Sequence, residues 1–254
     1  TLNADRYVRE QLARTAGFLL VATLIFLLHW GYVQQRRQRP GEAGSALRKL
    51  FLYVGLGFTV GFALASGYRL LSGIVDLAFG LPLAQSTIWP SGWLYLSAML
   101  LASFSLIAYL NRTLHSDGDY GLESNRAAAL WRRLYMLVAC LVGLTVTLWG
   151  ATSLLNVLIE NLLDQLSTVL SVSTDGIPRW SGPITQLILG SLLLRLHWNM
   201  WQALLTSPMT SAGELNSAVR RLYLYGAVVI GAIFALIGSA MLLDAFLLRA
   251  FGST

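Results

Sequence analysis

Charge is what this chain has least of. Asp, Glu, Lys and Arg make up 12% of its 254 residues, against about 25% in a soluble domain, so most of its surface is not built for water. Cysteine is nearly absent. Cys140 stands alone inside an apolar run, which excludes an internal disulfide and leaves the redox compartment open. The histidines are His29, His115 and His197. There is no His-Glu-x-x-His, no Cys-x-x-Cys, no phosphate-cradling P-loop and no Gly-x-Ser-x-Gly, the arrangements that announce zinc, thiol, nucleotide or serine-hydrolase chemistry. The expectation is a protein that is not an enzyme. Sustained polar/apolar alternation is missing too, so the pattern of a membrane β-barrel is absent.

What the chain does have is apolar length: 56% of it is hydrophobic and its mean hydropathy is +0.61. Six stretches reach the roughly 17–25 residues a helix needs to cross the hydrocarbon. They run from about Ala13 to Trp30, Leu50 to Leu71, Trp93 to Leu110, Leu134 to Leu155, Ile184 to Trp201 and Leu222 to Leu243. The expected fold is all-α: a polytopic membrane protein of six transmembrane helices, one membrane domain over 1–254.

Every second helix opens in the same way. Leu47-Arg48-Lys49-Leu50-Phe51-Leu52-Tyr53, Trp131-Arg132-Arg133-Leu134-Tyr135-Met136-Leu137 and Val219-Arg220-Arg221-Leu222-Tyr223-Leu224-Tyr225 each place a basic pair and an aromatic ahead of an apolar run. This is how a helix enters a membrane from the cytoplasmic side. The six helices thus pair into three units, each an odd helix A followed by an even helix B: repeat 1 over 12–80, repeat 2 over 88–164 and repeat 3 over 180–252. A two-helix unit returns the chain to its starting side, so the repeats are parallel rather than inverted. Ser66-Gly67, Gly150-Ala151 and Gly238-Ser239 hold matching places in the B helices, where small residues let membrane helices approach closely.

Loop charge sets the orientation. The A-to-B connections carry Arg36, Arg37, Arg39, Arg48, Lys49, Arg112, Arg126, Arg132, Arg133, Arg220 and Arg221, while Arg179 stands in a B-to-A connection. Positive-inside logic places the A-to-B loops in the cytoplasm. The net charge of +6 gathers there and reads as orientation, not as a nucleic-acid surface. Arg6, Arg9 and Arg14 oppose this assignment, and a short interfacial helix over Ala4 to Arg14 reconciles them. The first residue is Thr1 rather than Met, as expected of a processed or partial chain.

The B helices overrun the bilayer and gain polar residues at their far ends: Asp76, then Asn156, Glu160 and Asp164, then Asp244 and Arg249. Asp76 and Glu160 share a register position. A carboxylate pair there suits a cation or proton site, and solvated helix ends are the plainer reading. Arg69 is placed to snorkel to the outer phosphates. The amphipathic stretch Leu155 to Val172 is expected on the outer surface or against another subunit, and the polar loop His115 to Ala127 is expected in solvent.

His29-Trp30 and His197-Trp198 end the first and fifth helices at matching positions. Imidazole there can ligate a haem iron or a chlorophyll magnesium, making His29 and His197 the candidate cofactor-binding residues. The same place suits a ring of the interfacial aromatic belt. No cofactor and no metal are expected. Thr145, Thr147, Thr185 and Gln186 are the polar side chains available to line a path.

The unit formed by Leu28-His29-Trp30, an Arg-rich loop and Arg-Lys-Leu-Phe-Leu-Tyr or Arg-Arg-Leu-Tyr-Leu-Tyr resembles an uncharacterised family of repeated membrane domains from Chloroflexota-type bacteria. The resemblance is closest at Leu27 to Tyr53 and Val219 to Leu243. The middle unit departs from it, lacking His-Trp and carrying Leu137 where Tyr53 and Tyr225 stand. The resemblance implies a bacterial cytoplasmic (inner) membrane and transfers no functional residue. The three parallel units also resemble the mitochondrial carriers in arrangement, without the Pro-x-Asp/Glu-x-x-Lys/Arg that ends each odd helix there.

Scarce mid-membrane charge favours a non-enzymatic scaffold or accessory subunit packing against lipids and other membrane subunits or pigments. A small-solute or ion transporter is the alternative, and a haem- or chlorophyll-binding redox subunit a weaker one.

Overall fold

The apolar runs fold as helices wherever the sequence lets them continue. A computed structural model describes residues 2–37, 39, 41–80, 90–118, 123, 125–167 and 180–251, with side chains for most of these. The order is α1 (Leu2–Arg36), α2 (Ala46–Ala78), α3 (Pro90–Ser116), α4 (Arg126–Ser167), α5 (Ser181–Thr206), the short α6 (Ser211–Leu215) and α7 (Ala218–Phe251). All elements among the described residues are helical. Four helices are long and apolar enough to cross a membrane, over Ala46–Ala78, Gly92–Ser116, Arg126–Leu162 and Ala218–Leu247. In α5, Gln186, Arg195, His197 and Asn199 dilute the apolar run.

Helix ends follow local chemistry. Ser45 caps α2, its hydroxyl oxygen accepting from the Arg48 amide at 3.3 Å, which satisfies one of the orphan N–H groups of a first turn. Gly80 ends the same helix at φ +78° and Gly118 follows α3 at φ +75°, left-handed positions that a Cβ disfavours. The N-terminal segment differs from expectation. α1 runs unbroken from Leu2, without a separate helix ahead of the first span, because nothing between Asn3 and Arg14 is a proline or glycine that would stop it. The amphipathic stretch after Leu155 is likewise part of α4 as far as Ser167. At 42 residues that helix is about 63 Å long at 1.5 Å per residue, twice the roughly 30 Å of hydrocarbon. The rest of the stretch, from residue 168, lies outside the described residues, as does most of the loop 119–124.

α4 is the centre of the molecule. It packs against α5 most extensively, then α7 and α2, while α2 also packs against α3 and α5. The α4–α5 contact is backbone to backbone. An added Cβ would lie 2.7 Å from the Leu194 nitrogen at Gly143, 2.5 Å from the Leu187 nitrogen at Gly150 and 2.5 Å from the Thr147 nitrogen at Gly190. Helices in lipid associate by this kind of close packing rather than by hydrophobicity. α7 lies at the edge. None of its most apolar 18-residue window is buried, against 33% for α2 and α4. α1 is also peripheral and is held chiefly at its C-terminal end, where Trp30 joins a cluster with Leu52, Tyr53, Leu56, Leu110 and Leu114. A second cluster, of Met136, Leu137, Cys140, Trp201 and Tyr223, binds α4, α5 and α7 at the same end of the bundle. This is the end where α2, α4 and α7 begin, termed the basic end below.

Candidate functional site

The densest polar chemistry lies at the basic end, in two ion-pair clusters. In the first, Arg48 grips Asp117 with both arms of its guanidinium, Nε at 2.6 Å from Oδ2 and Nη2 at 3.2 Å from Oδ1. Arg37 Nε adds a contact to Asp117 Oδ1 at 2.9 Å, and Gln34 Oε1 accepts from Arg48 at 3.1 Å. The Lys49 ammonium donates to the carbonyls of Leu114 and Gly118, each at 3.4 Å. The Asp117 side chain is fully buried. The expectation of a solvated loop is therefore corrected at this residue: an acid at the end of α3 is drawn in by the cations that open α2.

The second cluster repeats the scheme one unit later. Arg132 holds Glu123 through two hydrogen bonds of 2.8 and 3.1 Å and donates to Glu214 Oε1 at 2.8 Å. Arg133 reaches the same oxygen at 3.0 Å. The Arg132 and Glu214 side chains are each 1% exposed. Burial alone would raise the Glu214 carboxyl, but hydrogen bonds and charge from Arg132 and Arg133 outweigh it and hold the carboxyl below its usual value. Bidentate, buried pairs of this kind fix geometry, and they leave these cations engaged in packing.

Sequence reasoning treated the basic pairs as orientation charges and missed their partners. A signal for one of them was present. Gly213-Glu214-Leu215-Asn216-Ser217-Ala218-Val219-Arg220-Arg221-Leu222 repeats Gly41-Glu42-Ala43-Gly44-Ser45-Ala46-Leu47-Arg48-Lys49-Leu50 in six of ten positions, with Leu/Val and Lys/Arg exchanges conservative at two more. Such a recurrence sets Glu214 apart from an ordinary loop residue.

The two candidate histidines are not equivalent. His29 is exposed on α1. His197 is buried, with Nδ1 at 3.0 Å from the Leu193 carbonyl and Nε2 at 2.9 Å from the Tyr135 hydroxyl. A carbonyl only accepts, so Nδ1 carries the proton, and Nε2 of the neutral ring accepts from Tyr135. Both nitrogens are occupied in this arrangement, and a metal-bearing ligand would have to displace Tyr135. The Tyr135 ring meets His197 edge-on at 5.4 Å and stacks on Tyr53 at 5.6 Å, so the imidazole joins α5 to α4 and α2. The two His-Trp pairs sit in different clusters. Trp30 donates to the Tyr109 hydroxyl at 2.6 Å, while Trp198 lies against Tyr223 at 5.5 Å.

Between α2, α3 and α5 lies a cavity of about 610 Å³, within the size range of small-molecule sites. Its walls are apolar, with Ser97, Asn111, Tyr135 and His197 the polar exceptions. A second crevice of about 480 Å³ between α2, α4 and α5 carries Tyr68, Arg69 and Gln186. Thr145 and Thr147 turn back to their own helix, donating to the Leu141 and Gly143 carbonyls. Thr185 is fully buried and its hydroxyl has no partner among the described residues. At the far end Asp76 is buried and Glu160 exposed. Glu160 accepts from Asn156, and no hydrogen bond or ion pair joins it to Asp76. Among the described residues no three His, Cys, Asp or Glu gather into a metal-binding group.

A protein family described as a domain of unknown function (DUF5671) matches residues 1–102 and 133–254. The gap between the matched segments holds Asp117, Glu123 and Arg132. No curated protein and no solved structure matches the chain.

Proposed function

The chain belongs to the DUF5671 family, a domain of unknown function, and from that premise we propose that it is a non-enzymatic scaffold or accessory subunit of a bacterial cytoplasmic membrane. In this reading α1 and α5 also cross the bilayer. The six spans form three parallel two-helix units over 12–80, 88–164 and 180–252, with the basic end in the cytoplasm. The length of α1 and α5, 35 and 26 residues, supports the six-span count, and the recurring start of α2, α4 and α7 supports the units.

One observation carries the functional reading. The buried cations of the basic end are engaged in tying one unit to the next, Arg48 on Asp117 and Arg132 on Glu214, while the cavity between α2, α3 and α5 is walled mostly by apolar side chains. A proton relay or hydrophilic transport path keeps ionisable groups within the membrane for use in turnover. Here the buried cations Arg48 and Arg132 lie at one end and are neutralised, which fits a molecule whose work is packing. Lipids and neighbouring membrane subunits are its natural partners.

The crevice with Tyr68, Arg69 and Gln186 favours the transporter alternative, with Thr185 close in sequence. The same experiment addresses both. The chain is reconstituted in proteoliposomes and assayed for ion and dye flux, and its mass is measured by native mass spectrometry from lipid nanodiscs. The scaffold reading expects no flux and a particle heavier than one 27.8 kDa chain. Gradient-driven flux by a single chain, abolished by Gln186→Leu, would replace it with the transporter reading. A haem or chlorophyll absorption band in the purified protein, lost in His197→Gln, would favour the redox subunit.

A further inference from the structure

The buried cations of the basic end are engaged by carboxylates, Arg48 by Asp117 and Arg132 by Glu123 and Glu214. Arg69 is different. It follows Arg48 on the same helix by 21 residues, about 31 Å along the axis at the helical rise. That distance matches the roughly 30 Å of hydrocarbon in a bilayer. α2 is long and apolar enough to cross a membrane, so Arg69 stands at the headgroup level opposite the basic end. It is exposed and forms no ion pair among the described residues.

Arg69 lines the crevice of about 480 Å³ between α2, α4 and α5. This crevice is polar at one end and apolar at the other. Tyr68, Arg69 and Gln186 line it at the level of the first turns of α5, where the Tyr68 hydroxyl is 3.3 Å from the place a Cβ on Gly182 would take. Toward the midplane the walls are Leu64, Val146 and Leu193, with about 10 Å of helix between Gln186 and Leu193. The side chains of Tyr68, Arg69 and Gln186 have no hydrogen-bond or ion-pair partner among the described residues.

Those three side chains form a set of donors. A guanidinium presents parallel N–H groups that match a phosphate, and the phenol and the carboxamide each add a donor. Among the described residues the lining holds one cation, Arg69, and no acid. A headgroup that carries its own ammonium therefore finds no carboxylate in the crevice, and Asp76, two turns farther along α2, is buried. Donors at headgroup level with hydrocarbon below them reproduce the order of groups in a phospholipid.

We propose that this crevice seats an anionic phospholipid of the leaflet remote from the basic end. Its phosphate lies on Arg69, Tyr68 and Gln186, and the upper part of one acyl chain lies along Leu64, Val146 and Leu193. The inference deepens the scaffold reading by naming one lipid partner and its seat, and it rests on the membrane placement of that reading.

The test uses the full chain in nanodiscs of equal phosphatidylglycerol and phosphatidylcholine. Lipids retained on release are read by native mass spectrometry, and fold by circular dichroism. Wild type should retain phosphatidylglycerol about tenfold in preference to phosphatidylcholine. Arg69→Gln should remove the preference, and Tyr68→Phe and Gln186→Leu should each weaken it. Ala65 is exposed on the crevice wall, so Ala65→Phe should fill the apolar part and expel the lipid with all three donors in place. Arg195 is exposed on α5 outside the lining, and Arg195→Gln should change nothing. Inorganic phosphate added to the chain in detergent should not reproduce the rise in melting temperature that phosphatidylglycerol gives. The inference is overturned by equal retention of both lipids, by a preference that survives Arg69→Gln or Ala65→Phe in a folded protein, by an equal loss in Arg195→Gln, or by free phosphate protecting as well as the lipid. Any of these in a chain without flux leaves the scaffold reading in place, whereas one of them together with flux abolished by Gln186→Leu overturns both.

Discussion

Tyr135 and His197 are joined tip to ring, Oη to Nε2 at 2.9 Å, while the Leu193 carbonyl occupies the other ring nitrogen at 3.0 Å. The contact lies between α4 and α5 and makes His197 a cross-link of the bundle. His29, its counterpart in sequence, is exposed. Substitution should therefore separate them. Tyr135→Phe leaves a buried acceptor unpaired, which costs about 1–3 kcal/mol, and His197→Leu should lower thermal stability in detergent comparably. His29→Gln should have no measurable effect. Equal losses at His29 and His197 would contradict this assignment.

The glycines of the α4–α5 contact differ from their counterpart in α7. A Cβ on Gly150 would stand 2.5 Å from the Leu187 nitrogen, and that atom is backbone and cannot swing away. Even Gly150→Ala should force the helices apart, at about 1–3 kcal/mol as for overpacked cores. Gly190→Ala should behave alike. Gly238→Ala, with its nearest neighbour 4.0 Å away, should be neutral. Parallel thermal melts of the three variants test this, and a stable Gly150→Ala would show that the close approach is not needed.

The helical architecture was legible because it rests on local information. Twenty apolar residues bounded by Arg and Tyr state a span without reference to the rest of the chain, and four of the expected spans are matched by helices of spanning length and composition. The polar partners were not legible, because Asp117 lies 69 and Glu214 82 residues from its arginine. Hydropathy reads such residues as solvent-facing wherever they occur. His197 was found by its His-Trp context, but its role depends on Tyr135, 62 residues earlier. α1 ran on through its charged start because helix propensity acts residue by residue, and a change of polarity does not end a helix.

Glu214 gives the basic end a defined acid sensitivity. Its carboxyl ionises below the ordinary value of 4.5 because Arg132 and Arg133 outweigh the effect of its burial. A carboxyl depressed in the folded state contributes stability at pH values above its unfolded pKa, and that contribution is lost as pH falls through the lower folded value. Thermal stability should therefore be flat in Glu214's contribution near neutrality and fall below about pH 4. Glu214→Gln should be less stable than wild type at pH 7, with the gap narrowing as pH drops below that point. A gap that widens on acidification would reverse the sign and remove Glu214 from the account.

The proposed sidedness rests on the same cations. Arg48, Arg132 and Arg220 all begin helices at the end where α1, α3 and α5 finish, and a cluster of Arg and Lys resists export across a bacterial membrane. Ala212, exposed on α6, should then lie inside, and Ala78, exposed at the far end of α2, outside. Cys140 is buried and is replaced by Ala or Ser to clear the background. In intact cells an impermeant maleimide should label Ala78→Cys and spare Ala212→Cys until the membrane is opened. Labelling of Ala212→Cys in sealed cells, with Ala78→Cys protected, would invert the topology and with it the cytoplasmic placement of the basic end.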